Sequence, residues 1–172
     1  MSFVEGAAIC IAGKTALESM RALNLNSGDT LFIAGASGAT GTLVIQLAVA
    51  QKSVDYSDPN WKWHVKQWLP EGVTAALAIQ PGTVEDSMVL VKDGGKVITV
   101  SGDDHVKPKR DISVHQIQHH KDTKEALITL ISDISAGYLQ LVIERVYPFL
   151  QALEALRKTE TRHARGKSVV RV

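Results

Sequence analysis

The sequence predicts an α/β fold in which helices cover both faces of a doubly wound parallel sheet. Apolar, β-branched segments of strand length alternate with segments of helical periodicity along most of the 172 residues. Several strand segments are apolar throughout, as expected for parallel strands that are buried on both faces. A glycine-rich turn joins the first strand segment directly to a helical segment. The chain is long enough for one well-buried domain and short for two, so we predict a single domain over residues 1–172.

Spacing and turn residues define the elements in the first half of the chain. Apolar residues three and four positions apart predict helices, and short apolar runs predict strands. Pro59 suits the first turn of a helix, and Pro70 with Gly72 ends that helix. In order, these criteria predict a helix over 17–23, a strand over 30–34, a helix over 38–50, a helix over 61–69 and a strand over 73–79.

The same criteria apply to the second half of the chain. Thr83 and Asp86 form a loose capping box ahead of a helix. Gly94 and Gly95 turn the chain into the next strand, and Gly137 ends a helical stripe of leucine and isoleucine. The predicted elements are a helix after Thr83, strands over 96–100 and 112–117, a helix over 127–137, a helix over 150–156 and a closing strand over 168–172.

The turn over residues 35–41 is the most informative stretch of the sequence. Gly35, Gly38 and Gly41 permit a sharp turn, a close approach of backbone to a phosphate, and close helix–strand packing. Ala36 occupies the place where the usual G-x-G-x-x-G motif has a glycine. The first amides of the following helix lack partners in the helix and face an anion, which the helix dipole also attracts. We therefore predict a dinucleotide pyrophosphate site; the alternative is a glycine turn that serves packing only. The predicted fold is accordingly Rossmann-like.

Composition and charge exclude several other classes of protein. The chain is 45% hydrophobic and 22% charged with a net charge of +1, so it has no basic surplus for nucleic acid or an anionic membrane. Its apolar runs are shorter than the roughly 18 residues of a membrane span. The one cysteine, Cys10, excludes an intrachain disulfide and any multi-cysteine zinc site. We expect a cytoplasmic protein, and a buried, inert thiol for Cys10 because it lies in the apolar run 7–12.

Two other chemistries have weaker support in the sequence. Residues 35–39 are one residue short of the G-x-S-x-G nucleophile elbow, so a serine hydrolase with Ser37, Asp103 and His163 is a remote alternative. His115 and His119 share a strand face, but no third or fourth ligand stands at a suitable spacing, so we predict no metal site.

Four segments, in the right order, resemble the medium-chain dehydrogenase/reductase superfamily, in its quinone oxidoreductase and zinc-type alcohol dehydrogenase-like branch. The opening segment resembles the segment that enters that family's cofactor domain. The segment with the glycine turn resembles the family's cofactor loop. The third and fourth segments resemble a later strand and the C-terminal region with its HARGK string. The four segments read SFVEGAAICIAGKTAL, GDTLFIAGASGATGTLVIQLA, VKDGGKVITVSG and ISAGYLQLVIERVYPFLQALEALRKTETRHARGKSVVRV.

The resemblance implies a bound NADP or NAD, with NADP favoured, and hydride transfer to a quinone, enone or carbonyl compound. It implies that Thr15 bonds the nicotinamide amide; alternatively Thr15 caps a helix that begins near Ala16. It places Ser101 and Gly102 beside the nicotinamide and Lys167 at the cofactor phosphates. Ser37 donates to phosphate or caps the helix. The predicted cofactor-binding residues are Thr15, Ser37, Gly38, Ala39, Thr40, Gly41, Ser101, Gly102 and Lys167.

The chain departs from the family pattern in two places. Family members begin with a GroES-like catalytic domain that this sequence does not contain, and their substrate pocket lies between the two domains. After Gln51 the sequence passes directly to a later family segment, so about one strand and one helix are missing. This is either a deletion, which a continuous link between Gln51 and Lys52 would indicate, or a stretch omitted from the sequence. The residues that discriminate NADP from NAD fall in this gap.

The resulting prediction is the nucleotide-binding domain of an NAD(P)H-dependent oxidoreductase that is inactive by itself. The alternative is a catalytically silent fragment that acts in assembly. We also predict a homodimer in which the strand from Ile112 to Ile117 pairs with its two-fold mate, because the strand is apolar and free of proline. The alternative there is an ordinary edge strand covered by a helix over residues 121–136.

Overall fold

A computed structural model describes residues 1–48, 52, 54–55, 57–120 and 122–172 of the chain. The helices and strands follow the predicted order except for one strand, and residues Phe149–Gln151 form a short 3₁₀ turn. The elements are α1 (Phe3–Leu23), β1 (Leu31–Ala34), α2 (Ala39–Ala48), α3 (Trp61–Trp68), β2 (Val73–Ala78), α4 (Val84–Leu90), β3 (Val91–Thr99), β4 (Ser113–Gln116), α5 (Thr123–Ser135), β5 (Ile143–Pro148), α6 (Ala152–Glu160) and β6 (Lys167–Arg171).

The first four strands form one parallel sheet in the order β1-β2-β3-β4. Phe32 pairs with Ala76, Ala76 with Val97, and Val97 with Val114. This confirms the predicted α/β, Rossmann-like fold class. Because the strands are parallel, their carboxyl ends meet at one edge of the sheet, where ligands bind in folds of this kind. Within the described part of the chain, β1 and β4 each pair with one strand, so they are the two edge strands of the sheet.

The sheet belongs to a compact unit that comprises residues 19–35 and 49–118. β2 is buried at five of its six positions, as its apolar sequence predicts. Its side chains pack with Val84 and Met88 of α4 and with Val97 of β3 in one hydrophobic core. Burial of this apolar surface is the main free-energy gain that stabilises the unit.

A second unit comprises residues 1–18, 36–48 and 119–172. It contains β5 and β6, which form a separate two-stranded parallel sheet. The closing strand was therefore predicted correctly as a strand, and among the described residues it pairs with β5. Its partner β5 was not predicted.

A buried carboxylate links α1 to the segment that enters α5 within this second unit. The Glu18 side chain is 1% exposed and accepts hydrogen bonds from His119 Nδ1 at 2.6 Å, the His120 amide at 2.9 Å and Thr123 Oγ1 at 3.3 Å. Lys14 Nζ lies 3.8 Å from the same carboxylate. Burial raises the pKa of Glu18, but the hydrogen bonds from His119 and His120 and the nearby positive charges hold this pKa below its usual value.

Two predictions for the first helix are wrong. α1 begins at Phe3 instead of near residue 17, so Thr15 lies inside a helix and cannot cap one that starts at Ala16. Cys10 is exposed, not buried. A helix turns by about 100° per residue, so Ile9 and Ala12 face the interior while Cys10 between them faces outward.

Between α2 and α3 the described residues contain no strand. The predicted gap after Gln51 falls outside the residues that the structure describes. None of the helices in the described ranges is long and apolar enough to cross a membrane.

Candidate functional site

The glycine turn leads from the end of β1 at Ala34 to the start of α2 at Ala39. Gly35 has φ = +94°, a backbone conformation that residues with a Cβ rarely adopt. A Cβ at this position would stand 3.2 Å from the Cβ of Ile79 and 3.0 Å from Cγ of Gln80, both in the loop that follows β2. The backbone conformation therefore favours glycine strongly here, and the tight contacts with Ile79 and Gln80 add to that preference.

The N-terminus of α2 presents backbone amides to an anion. The first helical hydrogen bond runs from the Thr42 amide to the Gly38 carbonyl oxygen, at 2.9 Å. The amides of Ala39, Thr40 and Gly41 precede this bond and have no acceptor within the helix. The first turn of α2 carries no acidic residue that would compete for these amides. Partial positive charge from the helix dipole adds to the attraction, so this end suits a phosphate group.

Ser37 is exposed and precedes Gly38, which occupies the position that caps α2. Its carbonyl oxygen accepts a hydrogen bond from the Gly166 amide at 3.1 Å, and Gly38 and Gly166 form an isolated parallel bridge. Gly166 has φ = +92°, and a Cβ on it would overlap the carbonyl oxygen of Val142. The C-terminal segment therefore holds the glycine turn through its backbone.

Lys167, the first residue of β6, is half-buried and follows Gly166 directly. Its amide donates to the Val142 carbonyl oxygen at 2.9 Å, which starts the pairing of β6 with the segment leading into β5. Lys167 is thus the next residue after Gly166, whose amide donates to Ser37 in the glycine turn. Gly166 was not among the predicted site residues, although a glycine inside the HARGK string is itself a signal for a special backbone conformation.

Thr15 lies in the middle of α1 and is 8% exposed. Little of this residue is accessible to a ligand in the structure. Lys167 also borders a shallow hollow of about 240 Å³ between α1 and β6, lined by Ala8, Ile11 and Val169. This volume is below the roughly 300–1,000 Å³ of small-molecule sites, so the hollow is too small for a substrate pocket.

Ser101 and Gly102 lie in a tight turn after β3, and Asp103 organises this turn. Thr99 Oγ1 and Ser101 Oγ donate to Asp103 Oδ1 at 2.6 and 2.5 Å. The Gly82 amide donates to Asp103 Oδ2 at 2.9 Å, which ties the loop after β2 to the turn after β3. Burial raises the pKa of Asp103, but the hydrogen bonds from Ser101, Thr99 and Gly82 outweigh it and hold this pKa below its usual value.

The hydrolase alternative gains no support from this geometry. Both carboxylate oxygens of Asp103 accept hydrogen bonds from Thr99, Ser101 and Gly82, and the His163 ring contacts the carbonyl oxygen of Thr161 in its own turn. His119, one of the two candidate histidine ligands, contacts Glu18. Across the described ranges, no group of three His, Cys, Asp or Glu side chains is placed to hold a metal ion.

Comparison with known proteins gives a family match. The model of the zinc-binding dehydrogenase family matches residues 49–170, which is more than half of the chain. A 2-methylene-furan-3-one reductase from Solanum lycopersicum is 26% identical over 196 residues, covering 99% of this chain and 47% of the reductase. The matched region is longer than the 172 residues of this chain, so the reductase contains residues there that have no counterpart here.

Solved structures share the fold. The quinone oxidoreductase from Coxiella burnetii has a TM-score of 0.88 and 23% identity, covering 100% of this chain and 62% of that protein. The quinone oxidoreductase from Thermus thermophilus, which was also solved in complex with NADPH, has a TM-score of 0.83 and 23% identity and covers 99% and 67%. The chain spans about half the length of the curated relatives it matches.

Proposed function

The chain belongs to the zinc-binding dehydrogenase family, and from this premise we propose that it forms the nucleotide-binding part of an NAD(P)H-dependent oxidoreductase. One observation carries the proposal: a strand, a turn that strongly favours glycine at position 35, and a helix whose first amides are available to an anion. This is the local geometry that holds a dinucleotide pyrophosphate. The named relatives are reductases and dehydrogenases, which supports the same class of reaction.

Within this proposal the residues divide by the part of the cofactor they serve. The amides of Gly38, Ala39, Thr40 and Gly41 bind pyrophosphate, and the exposed hydroxyl of Ser37 donates to it. Ser101 and Gly102 lie beside the nicotinamide, because they follow β3 at the carboxyl edge of the sheet. The resemblance assigns the nicotinamide amide to Thr15 and a phosphate to Lys167. The burial of Thr15 weighs against a direct contact between Thr15 and the nicotinamide. The position of Lys167 next to Gly166 favours a contact between Lys167 and a cofactor phosphate.

The cofactor supplies the hydride when it is bound, and the chain supplies orientation and charge. We propose NADP in preference to NAD by resemblance to quinone oxidoreductases, one of which was solved with NADPH. The proposed acceptor is a quinone, an enone or another carbonyl compound, as the names of the relatives suggest. Although the family description mentions zinc, the residues described here offer no fitting ligand set, so no step is assigned to a metal.

We also propose that the chain forms a homodimer through β4 and works in the cytoplasm. β4 is an edge strand of the four-stranded sheet, and the residues that flank it in the sequence, Ile112 and Ile117, are buried. An unpaired apolar strand at a sheet edge is prone to pair with another strand. The exposed thiol of Cys10 suits a reducing compartment. The rival proposal, a silent fragment that acts in assembly, uses the same sheet edge but binds no cofactor.

A titration with NADPH, followed by nicotinamide fluorescence, tests the proposed cofactor site. Ala39→Asp places a negative charge at the first residue of α2. It should weaken NADPH binding at least tenfold, about 1.4 kcal/mol, because the charge repels the pyrophosphate. The same charge should stabilise the helix itself by about 0.3–1 kcal/mol through the dipole. Loss of binding without loss of thermal stability is therefore the expected result.

Ala152→Asp is the matched control, because Ala152 is also the first residue of a helix, α6, and is also half-buried. It should leave NADPH binding unchanged. If the unmodified chain gives no saturable fluorescence change, the cofactor proposal is wrong and the assembly proposal takes its place. Equal effects of the two substitutions would also contradict a pyrophosphate site at α2.

A further inference from the structure

Two loops meet at the carboxyl edge of the four-stranded sheet, beside the start of the glycine turn. Residues 79–82 follow β2, and residues 100–103 follow β3. Gly35 follows β1, and a Cβ on it would make tight contacts with Ile79 and Gln80. All of these residues belong to one compact unit. The loop after β2 therefore lies between Gly35 and the turn after β3.

Asp103 is the side chain that couples these two loops. One of its oxygens accepts hydrogen bonds from Thr99, which is fully buried, and from Ser101, and the other oxygen accepts the Gly82 amide. The Ser101 amide also donates to Thr99 Oγ1 at 3.2 Å. A carboxylate that accepts three hydrogen bonds from two loops holds both in one arrangement. Burial raises the pKa of Asp103, but these hydrogen bonds outweigh it and hold the pKa below its usual value.

We propose that Asp103 is a positioning residue for the nicotinamide half of the cofactor, an inference that rests on the proposed function. In dinucleotide folds the adenosine ribose is read about 20 residues after the glycine turn, on the strand that follows the first helix. In such folds the strand that reads the adenosine ribose lies on one side of the first strand, and the later strands lie on its opposite side. The loops at 79–82 and 100–103 follow β2 and β3, which are later strands of this kind. The half of the cofactor that these loops meet is therefore the nicotinamide. Asp103 itself contacts protein groups, and it acts through Ser101 and Gly82.

Asp103→Asn is the informative substitution. The amide keeps the size of the carboxylate but replaces one acceptor oxygen with an NH2 donor. Thr99 and Ser101 can then stay bonded to it only by turning their hydroxyls to accept, and the negative charge that strengthens all three hydrogen bonds is lost. Two ligands then separate the halves of the site: NADPH, and 2′-phospho-ADP-ribose, which lacks the nicotinamide ring. The variant should bind NADPH about tenfold more weakly and 2′-phospho-ADP-ribose as well as the unmodified chain does. The fluorescence change of the bound nicotinamide should also diminish.

Asp104→Asn is the matched control, because Asp104 is the exposed neighbour of Asp103; it should change neither affinity. Thr99→Val removes one of the three hydrogen bonds and provides a second variant if Asp103→Asn does not fold, as judged by circular dichroism. It should shift NADPH binding in the same direction by a smaller factor. Equal weakening of both ligands, or of neither, would overturn the inference while the proposed function stands. If the unmodified chain binds neither ligand, the proposed function is wrong and this inference falls with it.

Discussion

Single glycines decide the backbone at both ends of the candidate pyrophosphate site. Gly35 and Gly166 both adopt positive φ; a Cβ on Gly166 would overlap Val142, and a Cβ on Gly35 would make tight contacts with Ile79 and Gln80. Gly102 and Gly137 also adopt positive φ but have open space around them. The first pair is therefore favoured by packing as well as by conformation, and the second pair by conformation only.

Glu18 makes the stability of the chain depend on pH. Its pKa in the folded chain lies below the roughly 4.3 of an unfolded glutamate, so its contribution is complete above about pH 4.3 and is lost as the pH falls through the folded value. Glu18→Gln removes the charge that holds His119, the His120 amide and Thr123 together. We expect the variant to lose about 1–3 kcal/mol of unfolding free energy at pH 7.

Urea unfolding at pH 7, 5, 4 and 3 measures this dependence. The difference between the unmodified chain and Glu18→Gln should shrink below about pH 4, where Glu18 becomes protonated. Glu71→Gln, at an exposed position in the turn before β2, should change stability by less than about 0.5 kcal/mol throughout. A difference that stays constant down to pH 3 would contradict the role given to Glu18.

At the scale of elements, β4 offers a substitution that separates dimer formation from folding. The Ile117 amide donates to the Thr99 carbonyl oxygen on β3, and successive amides of a strand point to opposite sides, so the Val114 amide points away from β3. Val114→Pro therefore removes a hydrogen-bond donor at the outer edge without removing a bond inside the sheet. We expect this variant to be a folded monomer by light scattering, and the unmodified chain to be a dimer.

His115→Pro provides the contrast, because the His115 amide points toward β3 by the same alternation. It should destabilise the sheet itself. If Val114→Pro remains a folded dimer, the interface lies elsewhere on the chain. If the unmodified chain is monomeric, β4 is an ordinary edge strand.

The elements that the sequence predicts well are those whose pattern has one interpretation. The apolar run 73–79 is too short for a typical helix and follows Gly72, which favours a buried strand, and the glycine turn directly follows the apolar segment that forms β1. β5 was missed because Glu144 and Arg145 interrupt its short apolar pattern before Pro148. The leucine stripe of residues 150–156 was predicted as a helix, but Leu150 and Leu153 are strongly exposed, since periodicity identifies a face without showing what covers it.

The candidate site shows the same limit. The Gly35–Gly41 turn is visible in the sequence because positive φ and close approach demand glycine. The role of Asp103 is not visible, because its partner Gly82 is 21 residues away and the contact depends on β2 and β3 being neighbours. Sequence reasoning therefore found Asp103 only as a candidate acid of a hydrolase.

At the scale of the whole molecule, a chain that spans about half of its curated relatives should bind a cofactor more readily than it turns over a substrate. We expect a protein of these 172 residues to oxidise NADPH with quinones or enones at little more than the background rate. The reason is that a hydride acceptor must be held in position as well as the donor, which is worth several kcal/mol of the barrier. Absorbance at the nicotinamide band measures the rate, and robust turnover would refute this expectation.

The hydrogen bond between Gly166 and Ser37 also imposes an order on events during synthesis. Its two residues leave the ribosome roughly 130 residues apart, a delay on the order of ten seconds at ordinary translation rates. During that interval the turn before α2 lacks the backbone partner that the last residues provide, and Gln46 of α2 lacks Gln140 until that residue is made. A nascent chain stalled before residue 166 would therefore carry the helix end that we propose to bind phosphate before its preceding turn is anchored.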